Sequence, residues 1–194
     1  MRDQFKINKD KVALLIIDMQ RHFCDPESSF FVPGSDALAE KLKILVDTFH
    51  KNNRPIVFTR HIDSDKEDNL MLRWWRERIK KEDPMSEVAD ILEPYRGITV
   101  IKNQYDGFLH TDLENILKTK GIRQVVICGV LTNLCCETTA RSAFMRGLEV
   151  YFVKDGTATF NQSMHEASLL NLSYGFAILT TVKEVLKALH PERS

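Results

Sequence analysis

Short, densely apolar runs alternate along the chain with stretches whose apolar residues recur every three or four positions. The first run, KVALLIID (11–18), is branched and apolar and stops abruptly at an acid. That is the pattern of a strand buried on both faces. RPIVFTR (54–60), GITVIK (97–102), RQVVICGV (123–130), LEVYFVKD (148–155) and FAILTT (176–181) repeat it, and the run at 123–130 is the most apolar.

Between these runs the spacing predicts amphipathic helices. One starts at Ser35, as N-cap, and continues through LAEKLKILVDTFHKN. Thr111 and Glu114 form a capping-box pattern before a helix that Gly121 closes. A helix from about Asn133 to Arg146 precedes Gly147, and the pairs Ser163/Glu166 and Thr181/Glu184 mark two more helix starts. Strands alternating with helices in this way predict a parallel sheet covered on both faces, an α/β class. No repeat, low-complexity tract or Gly/Ser linker divides the chain, so residues 1–194 read as one domain. The least regular stretch, 61–96, reads as an excursion with its own helix and a second helix start at Asp83-Pro84.

Composition narrows the function classes. Lys+Arg and Asp+Glu are 27 each, so no net field draws the chain to nucleic acid or an anionic membrane. The apolar runs are too short to span a bilayer, and the N-terminal MRDQFKINKDK lacks an apolar export core. Cysteines stand at 24, 128, 135 and 136 without a CxxC pair, which suits free thiols in a reducing, cytoplasmic setting. The basic-aromatic RWWR (73–76) with Lys80 and Lys81 could suggest single-stranded nucleic acid. On a neutral chain it reads instead as an amphipathic helix with a solvated face, its tryptophans against the core, a lid or a neighbouring subunit.

In an open parallel sheet, ligands bind beyond the carboxyl ends of the strands. Asp18 ends the first strand, Lys102 ends the third, and the turn after the fourth carries Cys135. An acid, a base and a thiol at one rim make the set a covalent hydrolase needs. With Asn133 as N-cap, both Cys135 and Cys136 lie in the first helical turn, where the dipole favours a thiolate. At most one can face the cleft. Thr139, Ala140 and Ala143 stand at helical spacing from Cys136, which favours Cys136 as the packed thiol and Cys135 as the exposed one. Cys128, inside an apolar strand, reads as core, and Cys24 receives no role.

Three stretches carry a family resemblance: LLIIDMQRHF, VIKNQYDGFLHTDLENIL and GVLTNLCCETTARSAFMRGLEV. Together and in this order they resemble the isochorismatase-like cysteine hydrolases, which include nicotinamidases, carbamoyl-amino-acid amidohydrolases and ureidoacrylate amidohydrolases. The resemblance implies a three-layer α/β/α fold with six parallel strands ordered 3-2-1-4-5-6 and a homo-oligomer, dimer or tetramer. It implies Asp18 as general base, Lys102 as cationic helper and Cys135 as nucleophile, with no cofactor. It further implies a cis peptide at Val130–Leu131, aiming the N–H groups of Leu131 and Cys135 into an oxyanion hole.

The implied substrate is a small amide or carbamoyl/ureide compound. Vinyl-ether hydrolysis, the reaction behind the family's name, is disfavoured because it requires no thiol. A non-catalytic, metabolite-binding member is the reading from a different class, and the intact Asp18, Lys102 and Cys135 weigh against it. Phe23, Trp74 and Phe108 are candidates for an apolar substrate wall. Nicotinamidases commonly carry Asp-x-His after the second strand as part of a metal site. Here the order is reversed, His61-Ile62-Asp63, so these two are weak metal candidates and no metal is expected.

Overall fold

The computed structural model describes residues 4–66 and 69–189; Met1–Asp3 of the polar N-terminal stretch, Glu67 and Asp68 of the excursion, and 190–194 lie outside them. Strands β1 (Val12–Ile17), β2 (Ile56–His61), β3 (Ile98–Lys102), β4 (Gln124–Val130), β5 (Glu149–Ala158) and β6 (Ile178–Thr180) form one sheet. Its order is β3-β2-β1-β4-β5-β6, and every pairing is parallel. The 3-2-1-4-5-6 expectation holds. β1 is central and wholly buried, as its unbroken apolar run requires.

Side chains alternate across the sheet and feed two cores. Val12, Leu14 and Ile16 pack on one face with Phe49 and Phe58; Ala13, Leu15 and Ile17 pack on the other with Phe152. Phe49, Phe58 and Phe152 are fully buried, each contributing on the order of 2–3 kcal/mol by area. Helix α2 (Ser35–Lys51) covers the first face, joined by α7 (Val182–Leu189). Helices α4 (Leu113–Thr119), α5 (Glu137–Met145) and α6 (Gln162–Gly175) contribute to the second. Short helices α1 (Arg21–Cys24) and α3 (Leu70–Trp75) sit in the connections. Among the described residues no helix is long and apolar enough to cross a membrane.

Several helix starts differ from expectation. Gly34 is the N-cap of α2, and Ser35 is its first residue, its hydroxyl donating to the Phe23 carbonyl. α6 starts before Ser163 because Asn161 caps it, accepting from the Met164 N–H at 2.9 Å, while Glu166 accepts from Gln162. Thr111 donates to the Gly107 carbonyl at 2.6 Å, and Glu114 turns to Lys118 and Arg146. The Thr181/Glu184 box forms as expected: the Thr181 N–H donates to Glu184 at 2.7 Å and the Glu184 N–H to the Thr181 hydroxyl at 3.2 Å. Asp83 caps a single 3₁₀ turn, Pro84–Ser86, where a second helix start was expected.

Candidate active site

The carboxyl edge of the sheet gathers the three groups singled out in the sequence. Asp18 follows β1 with φ 49°, a left-handed conformation uncommon for a residue with a side chain. Its backbone N–H donates to the Thr59 hydroxyl at 3.0 Å, and that hydroxyl donates back to Asp18 Oδ1 at 2.6 Å. Lys102 Nζ stands 2.7 Å from Asp18 Oδ2 and donates to the Gln104 carbonyl at 2.9 Å. The same ammonium lies 3.4 Å from Cys135 Sγ. Acid, ammonium and thiol therefore form one buried cluster in which Lys102 touches both others.

The thiol reaches this cluster on an irregular turn. After β4, Thr132–Cys136 forms a π-helical turn that runs into α5. Asn133 is not its cap: the turn is already under way at Thr132, and the Asn133 side chain accepts from the Thr159 hydroxyl at 2.6 Å. The Thr132 hydroxyl lies 3.0 Å from His165 Nδ1, so β5's exit and α6 both brace the turn. The Val130–Leu131 peptide is cis. Cys135 lines a cavity, whereas Cys136 is completely buried beside Thr139, Ala140 and Ala143.

Electrostatics correct one expectation. The helix start was read as favouring a thiolate, yet burial pushes the Cys135 thiol up, and nearby Lys102 offsets only part of that. Burial also works against the Lys102 ammonium, but Asp18 and Cys135 outweigh it and push that group up to about 12. Burial thus favours the neutral form of the Cys135 thiol, and the Lys102 contact works against it. Such a thiol needs a base to release its proton, and the carboxylate sharing the ammonium is in place to take it. Burial pushes Cys136 well up too, with Cys135 and Asp18 adding to the rise and Lys102 opposing it.

The cavity has a volume of about 280 Å³. Asp18 and Cys135 lie among its walls with Phe23, Phe30, Leu134 and Phe160; Met71, Trp75 and Ile79 come from the excursion. Phe23 thus takes the expected place. Trp74 does not line this cavity; it is 71% exposed on an adjoining groove, and its neighbour Trp75 lines both. Phe108 is not a wall residue: it is buried in the second core, with the Arg146 guanidinium 4.7 Å from its ring centre. RWWR accordingly places its aromatic side chains at the cavity mouth.

Two residues of structural consequence had no role in the sequence reading. Thr59 grips Asp18, but a threonine in a strand is too ordinary to signal that. Gln20 is fully buried; its Nε2 donates to the His61 and Ser86 carbonyls at 3.0 and 2.7 Å, and its Oε1 accepts from the His61 N–H at 2.7 Å. This one amide ties β1's exit, the end of β2 and the excursion together.

His61 and Asp63 also border the cavity, and they hold each other, Nε2 to Oδ1 at 3.3 Å. Asp63 Oδ2 accepts from the Ile79 N–H at 2.8 Å. Burial works against the Asp63 charge, but His61 and that N–H hold the carboxyl below its usual value. Among the described residues no three His, Cys, Asp or Glu side chains converge as a metal site would require. The donor set does not fit a metal, and no step is routed through one.

Known proteins agree with this architecture. Residues 12–184 match the isochorismatase domain, and the chain belongs to that family of hydrolases. It is 38% identical to nicotinamidase 3 of Arabidopsis thaliana over 187 residues, which cover 94% of this chain and 90% of that protein. A cysteine hydrolase from Pseudomonas syringae pv. phaseolicola superposes with a TM-score of 0.91 at 26% identity, covering 95% of each chain. The pyrazinamidase of Pyrococcus horikoshii, solved in complex with zinc, superposes at 0.77 with 27% identity, covering 88% of this chain and 99% of that one.

Proposed function

We propose that the protein is a cysteine amidohydrolase that cleaves the C–N bond of a small amide or carbamoyl/ureide compound through a thioester. The observation that carries this reading is the contact of Lys102 with both Asp18 and Cys135, at 2.7 and 3.4 Å, beside the cavity. Asp18 takes the thiol proton as Cys135 Sγ attacks the carbonyl. The oxyanion accepts hydrogen bonds from the backbone N–H groups of Leu131 and Cys135. Asp18 then passes its proton to the departing nitrogen, and the acyl group remains on sulfur. Water, deprotonated by the same carboxylate, attacks the thioester and restores the thiol. Lys102 stays charged throughout and holds the carboxylate in place at 2.7 Å.

The amidases among its relatives support this class of substrate. The four cysteines are all free and buried, which suits a reducing, cytoplasmic compartment. Exposed Phe144, Met145 and Leu170 suit burial in a homo-oligomer, a dimer or tetramer.

A panel of small carboxamides and carbamoyl compounds assayed for ammonia release tests the reading. Turnover should appear with at least one class, survive exhaustive dialysis against chelator, and fall in proportion to the fraction of enzyme labelled by substoichiometric iodoacetamide. Peptide mapping should place that label on Cys135. Dominant labelling of Cys136, or activity regained only with added zinc, would contradict the proposal.

A further inference from the structure

The inner cavity adjoins a larger one of about 660 Å³. Both are lined by Met71, Trp75, Tyr105, Leu131, Leu134 and Phe160, so they form an inner and an outer chamber. Asp18 and Cys135 line only the inner one. The outer chamber adds Leu70, Trp74 and Met164, which are 62%, 71% and 45% exposed, together with Gln104 and Asn133. Among the described residues no charged side chain lines it. At the junction Trp75 Nε1 donates to the Tyr105 hydroxyl at 2.9 Å, which fixes the shared wall.

Large apolar side chains gathered at the mouth of a reactive cavity mark a binding surface. This surface is concave, and its volume falls within the range of small-molecule sites, about 300–1,000 Å³. The inner chamber is smaller than that range and suits the reacting group with about one ring.

We infer that the outer chamber is a second substrate subsite, which takes an apolar extension on the acyl side of the scissile bond. The direction follows from the amidohydrolase reading, on which the inference rests. The departing nitrogen must lie by Asp18, in the inner chamber, so the acyl portion is the part directed past Leu131 and Leu134 into the outer one. With no cation among the described residues of its walls, the subsite favours an uncharged alkyl or aryl group over a carboxylate.

The test uses benzamides carrying para-alkyl chains of increasing length, with matched N-alkyl benzamides, on the unaltered enzyme and on Trp74→Ala and Met164→Ser. Ammonia or amine release gives kcat/KM. Each added ring methylene should raise it about fourfold until the groove fills. Both variants should flatten this gain and leave unsubstituted benzamide unaffected. A flat response to ring chains, a gain with N-alkyl chains only, or equal slopes in enzyme and variants would overturn the inference.

If no amide of any length reacts, the hydrolase reading has failed, and binding decides the subsite separately. Para-hexylbenzamide should then still quench the tryptophan fluorescence of Cys135→Ala, more weakly after Trp74→Ala; no quenching overturns the subsite too. Trp74→Ala that splits an oligomer while preserving the chain-length gain would assign the groove to a second copy of the chain.

Discussion

The floor of the cavity and its outer wall are built on different principles. Asp18, Lys102 and Cys135 occupy the ends of strands or the turn directly after one, so the sheet's hydrogen bonds set their spacing. Among its described residues the wall supplied by 61–96 is mostly irregular: the short helix α3, 3₁₀ turns, side-chain ties and scattered backbone hydrogen bonds such as Ala89 N–H to the Met19 carbonyl. Residues on a rigid ladder keep the tolerance that bond-making chemistry requires. Residues in an irregular segment can vary in shape without disturbing the ladder. On the proposed mechanism chemistry falls to the first and substrate choice to the second, and Gln20 ties the two together.

Variants can break this division, beginning with the largest effect. Cys135→Ala should lower amide turnover by several orders of magnitude, because the covalent route is lost as a unit. Its thermal unfolding should stay close to that of the unaltered protein; a retained rate would remove Cys135 as nucleophile.

Lys102→Ala should abolish turnover and also destabilise the fold by about 3–5 kcal/mol, since it leaves the Asp18 carboxylate buried without its counter-charge. Denaturant unfolding near neutral pH measures this. Folding raises the Lys102 pKa, so its contribution is complete below the ordinary lysine value of 10.5 and fades as pH rises through about 12. The penalty of the variant should therefore shrink only in strong alkali.

Gln20→Ala tests the joint between floor and wall. It takes the Gln20 partner from the His61 N–H and C=O, while the Ser86 carbonyl keeps Arg60 Nε at 2.8 Å, and should cost about 1–3 kcal/mol for each His61 group that water cannot reach. If the wall serves substrate choice, KM should rise more than kcat falls in steady-state assays. A fall confined to kcat would place Gln20's influence on the floor instead. Cys136→Ala should have the smallest effect, about 1 kcal/mol in denaturant unfolding with most activity kept.

The same division explains what was legible in the sequence. β1 is recognisable because burial on both faces leaves no room for a polar residue from Val12 to Ile17, and the acid after it marks the edge. Sheet order and the roles of Asp18, Lys102 and Cys135 came from family resemblance added to that pattern. Local hydrogen bonding was harder to read. Asn133 looked like a cap and instead binds Thr159, 26 residues away, a competitor that spacing along the chain cannot reveal. Phe108 was misplaced for a related reason: an aromatic residue in a loop carries no sign of which side faces the cavity. Thr59 and Gln20 matter through partners 41 residues away, on other strands and turns.

One small feature sets the geometry between Asp18 and Cys135. Gly129 has φ 119°, and a Cβ placed on it would stand 2.1 Å from the Ile17 carbonyl oxygen. Ile17 immediately precedes Asp18, and Gly129 lies six residues before Cys135. The hydrogen atom at position 129 therefore acts as a spacer gauge between the two strands. Any L side chain there must wedge β1 from β4 and carry the carboxylate away from the sulfur, a fault that repair elsewhere in the pocket would leave in place.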